Sequence, residues 1–278
     1  MTSPLVTAQW LQQHLHDPNL VLLDSSIEFQ IPTESEKDWV NKIPNAQRFD
    51  YDKVFCDPDS RLPHMMPSEE RFNTLARELG INQDSFIVVY DNSGTFASPR
   101  AWWMFKAMGH HKVYILNGGL TEWKALGYNV TQNYREPTAK GNFDGKLNPK
   151  AFVDASYVLK QIDNPHSQTI DARGLARFFG EVPEPRPGVR SGHIPGSACL
   201  PFAELIAGHK LKEETELRLY SLICCPTQPK NTSLAAAQAS LHVLCCSRRM
   251  YAATKTFRFT MVRGRNGDSG KICRLSNV

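Results

Sequence analysis

No stretch of the chain approaches the roughly 20 consecutive apolar residues that a membrane-spanning helix needs, which excludes that class of membrane protein. The opening residues, Met1 to Trp10, lack the basic start and apolar run of an export signal. The expected location is therefore the cytoplasm, and the seven cysteines read as reduced thiols. None of them stands in the Cys-x-x-Cys spacing that suits tetrahedral zinc; Cys224–Cys225 and Cys245–Cys246 are adjacent pairs. No metal or other cofactor is expected. Carboxylates are nearly missing from one end of the chain. Residues 218–278 hold ten Lys and Arg but a single acid, Asp268, whereas residues 1–217 hold 22 Lys and Arg against 27 Asp and Glu. Five of the seven cysteines also fall in that basic end. Its charges are not interleaved with stacking aromatics or any known motif, so no nucleic-acid partner is expected, and no membrane partner either.

What is present over residues 1–217 is an alternation of short apolar runs and amphipathic segments, the pattern of βα units around a largely parallel sheet. Leu20 to Asp24 reads as a buried strand. Glu69 to Leu79 reads as a helix, with Phe72, Leu75, Ala76 and Leu79 at helical spacing and Gly80 as its cap. Phe86 to Tyr90 is predicted as a strand, followed by the loop Asp91 to Gly94. Pro99 to Met108 is predicted as a helix and Val113 to Leu116 as a strand, and Gly118-Gly119 turns the chain into a helix carrying Trp123. Residues 129–150 are polar and without periodicity, the composition of an interdomain linker.

Beyond that stretch the first landmarks recur. Val21-Leu22-Leu23-Asp24 is echoed by Thr169-Ile170-Asp171, and Ile43-Pro44-Asn45-Ala46 by Ile194-Pro195-Gly196-Ser197-Ala198, with the two offsets agreeing within a few residues. The chain reads as a tandem duplication: a first domain over 1–135, a linker over 136–150, and the beginning of a second domain over 151–217. The second copy should continue with a strand, a loop, a helix and a counterpart of Gly118-Gly119-Leu120-Thr121-Glu122-Trp123. After Leu217 none of these follows.

Several separate segments, in order, resemble the tandem rhodanese family. Asp171-Ala172-Arg173, Arg177-Phe178 and Ser191-Gly192-His193-Ile194-Pro195-Gly196 are similar to the rhodanese domain itself. Pro63-His64-Met65-Met66-Pro67 and Pro99-Arg100-Ala101-Trp102-Trp103-Met104 are similar to the inactive first domain of tandem sulfurtransferases. The resemblance covers about residues 5–217. It implies an α/β fold of two domains, each a parallel sheet flanked by helices. It also implies a chemistry in which a cysteine at the end of a second-domain strand opens a loop whose N–H groups favour the thiolate and then the persulfide. Sulfur moves from a small-molecule donor to that thiolate and on to cyanide or a thiol acceptor, thioredoxin among them. In the first domain Asp91 stands where the nucleophile would be, which marks that domain as non-catalytic.

The family would place its nucleophile near residue 235, where this chain has Ala235 and Ala236. Read in a neighbouring frame, Leu234 to His242 is compatible with Ser-Cys-Gly-(Ser/Thr/Ala)-Gly-Val-Thr-Ala-Cys. In the same frame Thr254 to Gly267 is compatible with a second copy of the segment from Val113 to Trp123. Residues 218–278 therefore read as an out-of-frame tail, and the nucleophilic cysteine is absent from the chain as written. The neutral loop of that reading resembles 3-mercaptopyruvate sulfurtransferases more than the cationic loop of thiosulfate enzymes. Arg177 and Arg186 then match the substrate-binding positions, two guanidiniums able to hold a carboxylate and keto oxygen through forked hydrogen bonds. Asp52 and His64 match a relay that supports proton transfer; a local structural hydrogen bond is the other reading of that pair. Trp102, Trp103 and Trp123 are expected in core or interface packing, His193 as the residue that fixes the turn before Pro195, and Cys199 as a small core residue. A non-catalytic binding module that kept an anion cleft after losing its thiol is the rival function.

Overall fold

The computed structural model describes residues 3–28, 37–60, 62–164, 167–185 and 189–217, together with the backbone of 258–261 and 273–276. The first domain is a five-stranded parallel sheet. Its strands are β1 (Leu5–Val6), β2 (Leu20–Asp24), β3 (Ala46–Arg48), β4 (Phe86–Tyr90) and β5 (Val113–Leu116), in the order β1-β5-β4-β2-β3. Every residue of β2 and all but the first of β4 are buried, because helices cover both faces of a parallel sheet. Side chains alternate between two cores, as the period of two requires. Val21, Leu23, Ile87 and Val89 face one core with Phe72 of α2 (Glu69–Glu78) and Trp102 and Phe105 of α3 (Ser98–Ala107). Leu20, Leu22, Val88 and Tyr90 face the other, with Leu11 of α1 (Ala8–His14) and Leu120 and Trp123 of α4 (Gly119–Ala125).

The helix boundaries follow from local chemistry. At the start of α2 the Ser68 hydroxyl accepts the Arg71 N–H, Glu69 and Glu70 fill the first turn, and Gly80 leaves the end at φ +70°. Both α2 and α3 end one residue before the sequence expectation, and α3 also begins one residue early, at Ser98 in place of Pro99. Its N-terminus has no cap from its own flanking residue, Ala97. The Asp91 carboxylate, reaching from the end of β4, accepts the N–H groups that would otherwise be left open, and this extends the helix backward.

The stretch from 136 to 150, expected as a linker, lies fastened along the first domain. Asn73 exchanges hydrogen bonds with the Gly145 backbone in both directions, at 2.9 and 3.0 Å, and Arg77 donates from Nε to the Phe143 carbonyl at 2.6 Å. Phe143 is fully buried among Phe72, Phe105 and His110. A Cβ at Gly141 would stand 2.0 Å from the Ile81 carbonyl oxygen, so only glycine permits this approach. The segment is polar because backbone and amide bonds hold it and one aromatic anchors it. Hydrophobic periodicity has no part in that.

Beyond α5 (Ala155–Gln161), the strands β6 (Ile170–Asp171) and β7 (Ala198–Cys199) pair in parallel, with the short helix α6 (Leu175–Phe179) between them. The pairing repeats that of β2 and β3. Asp24 stands opposite Arg48 as Asp171 stands opposite Cys199. The Phe49 N–H donates to the Asp24 carbonyl at 2.8 Å as the Leu200 N–H donates to the Asp171 carbonyl at 2.9 Å. A hairpin of β8 (Ile206–Ala207) and β9 (Lys210–Leu211) follows. Leu200, Leu205, Leu211 and Leu217 join the core that holds Trp102 and Phe105, so these residues pack as one body with the first domain. Two further strands, β10 (Arg258–Met261) and β11 (Cys273–Ser276), pair antiparallel.

Candidate functional site

Three charged constellations lie at the carboxyl ends of the strands or on the segments that follow them, where open α/β sheets place their sites. The first is the loop after β4. The Oδ2 atom of Asp91, a fully buried residue, accepts backbone N–H bonds from Phe96 at 2.9 Å, Ala97 at 2.6 Å and Ser98 at 2.8 Å, and the Ser98 hydroxyl at 3.1 Å. Four donors converging on one oxygen at a helix N-terminus form an anion cradle. Here its occupant is the chain's own carboxylate. A Cβ at Gly119 (φ +53°) would meet the Asp91 and Gly94 carbonyl oxygens at 2.3 Å, so glycine alone lets α4 start against this loop.

Asp52 and His64 form the second constellation. The structure brings them together, His64 Nδ1 lying 2.7 Å from Asp52 Oδ1, with the His64 side chain 9% exposed. Asp50 orders the turn that carries Asp52, its Oδ1 accepting the Asp52 and Lys53 N–H groups, both at 3.0 Å. His64 sits at φ +59°, a left-handed conformation uncommon for a non-glycine residue. Its carbonyl accepts a 2.6 Å bond from Arg100 Nη2.

The third constellation surrounds Arg177. Both of its guanidinium edges used here engage Glu184: Nε reaches Oε1 at 3.2 Å, and Nη2 pairs with Oε2. The Glu184 side chain is wholly buried and also accepts Arg173 Nη1 at 2.7 Å. Arg173 in turn grips Asp171 through Nε at 3.0 Å and donates to the Gly192 carbonyl at 2.7 Å. Burial works against the Arg173 charge, but the hydrogen bonds and charges of Asp171 and Glu184 outweigh it, so its pKa is raised above the ordinary value. Arg186, the other expected substrate ligand, lies outside the described residues, as do Ala235 and Ala236. Glu184 carried no sequence signal; it is one acid in a proline-rich loop, and only the fold places it between two arginines.

The remaining expectations divide simply. Trp102 and Trp123 are in the core, while Trp103 is half-buried and donates its indole N–H to the Ala151 carbonyl at 3.1 Å. His193 stacks on Phe178 with ring centroids 3.9 Å apart and bonds the Phe178 carbonyl at 2.9 Å, a turn-fixing contact. Cys199 is half-buried in β7, its thiol directed to the Arg173 carbonyl. Cys56 lies near Asp50, Asp52 and Asp57, and burial chiefly, with those acids, pushes its thiol above the ordinary value. That is the reverse of what a sulfur nucleophile requires.

Residues 7–126 match the Rhodanese-like domain family, which makes this a protein of the rhodanese class: a parallel sheet with helices on both faces. Among curated proteins the chain is similar to the 3-mercaptopyruvate sulfurtransferase of Escherichia coli, 40% identical over 219 residues that cover 78% of this chain and 77% of the other. It is 35% identical to the rat 3-mercaptopyruvate sulfurtransferase over 220 residues, 76% of this chain and 73% of the other. Against the mitochondrial thiosulfate/3-mercaptopyruvate sulfurtransferase 1 of Arabidopsis thaliana the identity is 38% over 228 residues. That alignment covers 73% of this chain and 59% of that longer protein. The crystal structure of SseA from E. coli, described with the rhodanese fold and catalytic mechanism of 3-mercaptopyruvate sulfotransferases, superimposes with a TM-score of 0.71. There the identity is 33%, over 87% of this chain and 95% of that one. The chain belongs to the 3-mercaptopyruvate sulfurtransferase family, a family of sulfurtransferase enzymes.

Proposed function

We propose that this chain is a 3-mercaptopyruvate-type sulfurtransferase in lineage whose own sequence lacks the nucleophile. The observation that carries the reading is the Asp91 cradle. It is a loop at a strand end whose N–H groups converge on one anion, and the anion is a carboxylate unable to accept sulfur. Sulfur chemistry then falls to the second domain, which we take to begin near residue 151. In the active lineage a cysteine thiolate attacks the sulfur of 3-mercaptopyruvate. The C–S bond breaks, its electrons pass to carbon as the pyruvate enolate, and a proton completes pyruvate. The outer sulfur of the resulting persulfide is next attacked by a thiol or cyanide, which restores the thiolate. Arg177 and Arg186 would hold the donor's carboxylate and keto oxygen, and the Asp52–His64 pair, already at 2.7 Å, would move the proton. In this chain Glu184 engages Arg177, so donor binding must share that guanidinium. Thiosulfate is the second donor of this reading, and thioredoxin belongs among its thiol acceptors.

The test is pyruvate and sulfide release from 3-mercaptopyruvate with a thiol acceptor present. The chain as written should show no turnover above buffer, and a gene with the frame restored after about codon 217 should turn over. Turnover by the unaltered chain would overturn the claim of a missing nucleophile. A strong preference of the restored enzyme for thiosulfate would overturn the donor assignment.

A further inference from the structure

We propose that Arg100 is an anion-binding site on the first domain, fitted to a small carboxylate or sulfur oxyanion that binds beside the Asp52–His64 pair. Arg100 is the third residue of α3 and is 3% exposed. A guanidinium carries five N–H donors. Nη2 donates to the His64 carbonyl at 2.6 Å, and the buried Nε donates to no acceptor among the described residues. The Phe152 ring lies against it, 4.7 Å from the guanidinium carbon. Among the described residues Arg100 forms no ion pair with any carboxylate. The carboxylate at the start of the same helix, Asp91, is taken up by the N–H groups of Phe96, Ala97 and Ser98.

Arg173 provides the internal contrast. It is buried to a similar degree, at 7% exposed, and two carboxylates and a carbonyl compensate it. That is the usual condition of a buried charge, since a cation removed from water loses its hydration unless an anion replaces it. One carbonyl and one ring face return only part of that loss. An anion accepting the remaining donors would complete the compensation. The planar fork selects oxyanions that take two parallel N–H bonds, which carboxylates and sulfite share and chloride does not. Because Arg100 bonds the backbone of His64, an anion there stands in the corner that the sulfurtransferase reading gives to proton transfer. The anion's role rests on that reading; its binding does not.

The experiment is thermal unfolding of the full chain with sodium pyruvate, sodium sulfite or sodium chloride at equal ionic strength, for the wild type, R100M, R100K and R177M. Saturating pyruvate or sulfite should raise the wild-type midpoint by on the order of 5–10 °C at a hundredfold excess over Kd, with chloride inactive. R100M should unfold no lower than wild type without anion and lose the response, R100K should keep part of it, and R177M should keep it. Pyruvate acting alone identifies a carboxylate ligand distinct from the donor held at Arg177, and sulfite alone identifies a sulfur oxyanion; either supports the site. The proposal is overturned if R100M fails to fold or still responds, if no oxyanion shifts the wild type, or if R177M abolishes the shift. None of these results bears on sulfur transfer, which is judged separately by turnover of the frame-restored enzyme.

Discussion

Asp91 shows how much one side chain decides at the residue scale. Its Oδ2 accepts four hydrogen bonds in a site closed to water, three of them from the open N–H groups at the start of α3. Asp91→Ala leaves those donors buried and unpaired, and a loss of roughly 2–4 kcal/mol is expected from charged hydrogen bonds of this kind. Urea denaturation followed by tryptophan fluorescence checks it, since Trp102 and Trp103 sit on the affected helix; an unchanged midpoint would refute the cradle's structural weight. The position of Asp91 was legible in the sequence, because an aspartate directly after an apolar strand stands out where the resemblance implies a nucleophile. That four bonds converge on its Oδ2 was not legible, since backbone N–H groups carry no sequence identity. Arg177 shows the same division. Its motif is visible in the chain, whereas its pairing with Glu184 depends on how the proline-rich loop folds back over α6.

Among the elements, the β8–β9 hairpin is held on the first domain by a small polar clasp. His209 Nε2 lies 2.7 Å from Glu122 Oε2, Lys210 Nζ lies 3.3 Å from Glu122 Oε1, and the Leu211 N–H donates to Asn117 Oδ1 at 2.8 Å. The hydrogen bond from His209, with Lys210 behind it, holds the Glu122 carboxyl below its ordinary value of 4.5. A carboxyl with a depressed folded pKa contributes stability above its unfolded pKa and loses it as pH falls through the folded value. The clasp is therefore expected to persist down to about pH 4.5 and to open below it. Hydrogen exchange at the Leu211 amide measures this. Protection should fall in the wild type as the pH drops below that ordinary value, and be low at every pH in E122Q. Equal protection in the two chains would remove Glu122 from the clasp.

At the scale of the whole molecule, the first domain ends later than its composition indicates. Phe143 fills the core beside Phe72 and Phe105, and the 141–148 strap is bonded to α2 and to the turn after it. A fragment of residues 1–150 should thus be more stable than one of 1–135, by about 3–5 kcal/mol if the lost aromatic dominates. Chemical denaturation of the two fragments tests this, with F143A in the longer one expected to reproduce most of the difference. Much of the rest was fixed by the chain's own pattern. The short apolar runs of β2 and β4, the helical spacing of Phe72 and Ala76, and the recurring Asp24 and Asp171 point to a parallel α/β sheet and an echo of its first strand pair. They do so because burial periodicity and strand-end chemistry act over a few residues and are written locally. The sequence by itself also shows alanines, Ala235 and Ala236, where the resemblance would place the nucleophile. Only the tertiary structure decided that the polar strap belongs to the first core, that Glu184 pairs with Arg177, and that Arg100 is buried without a carboxylate among the described residues. Each of those depends on groups far apart in the chain meeting at one point, and no local periodicity records such a meeting.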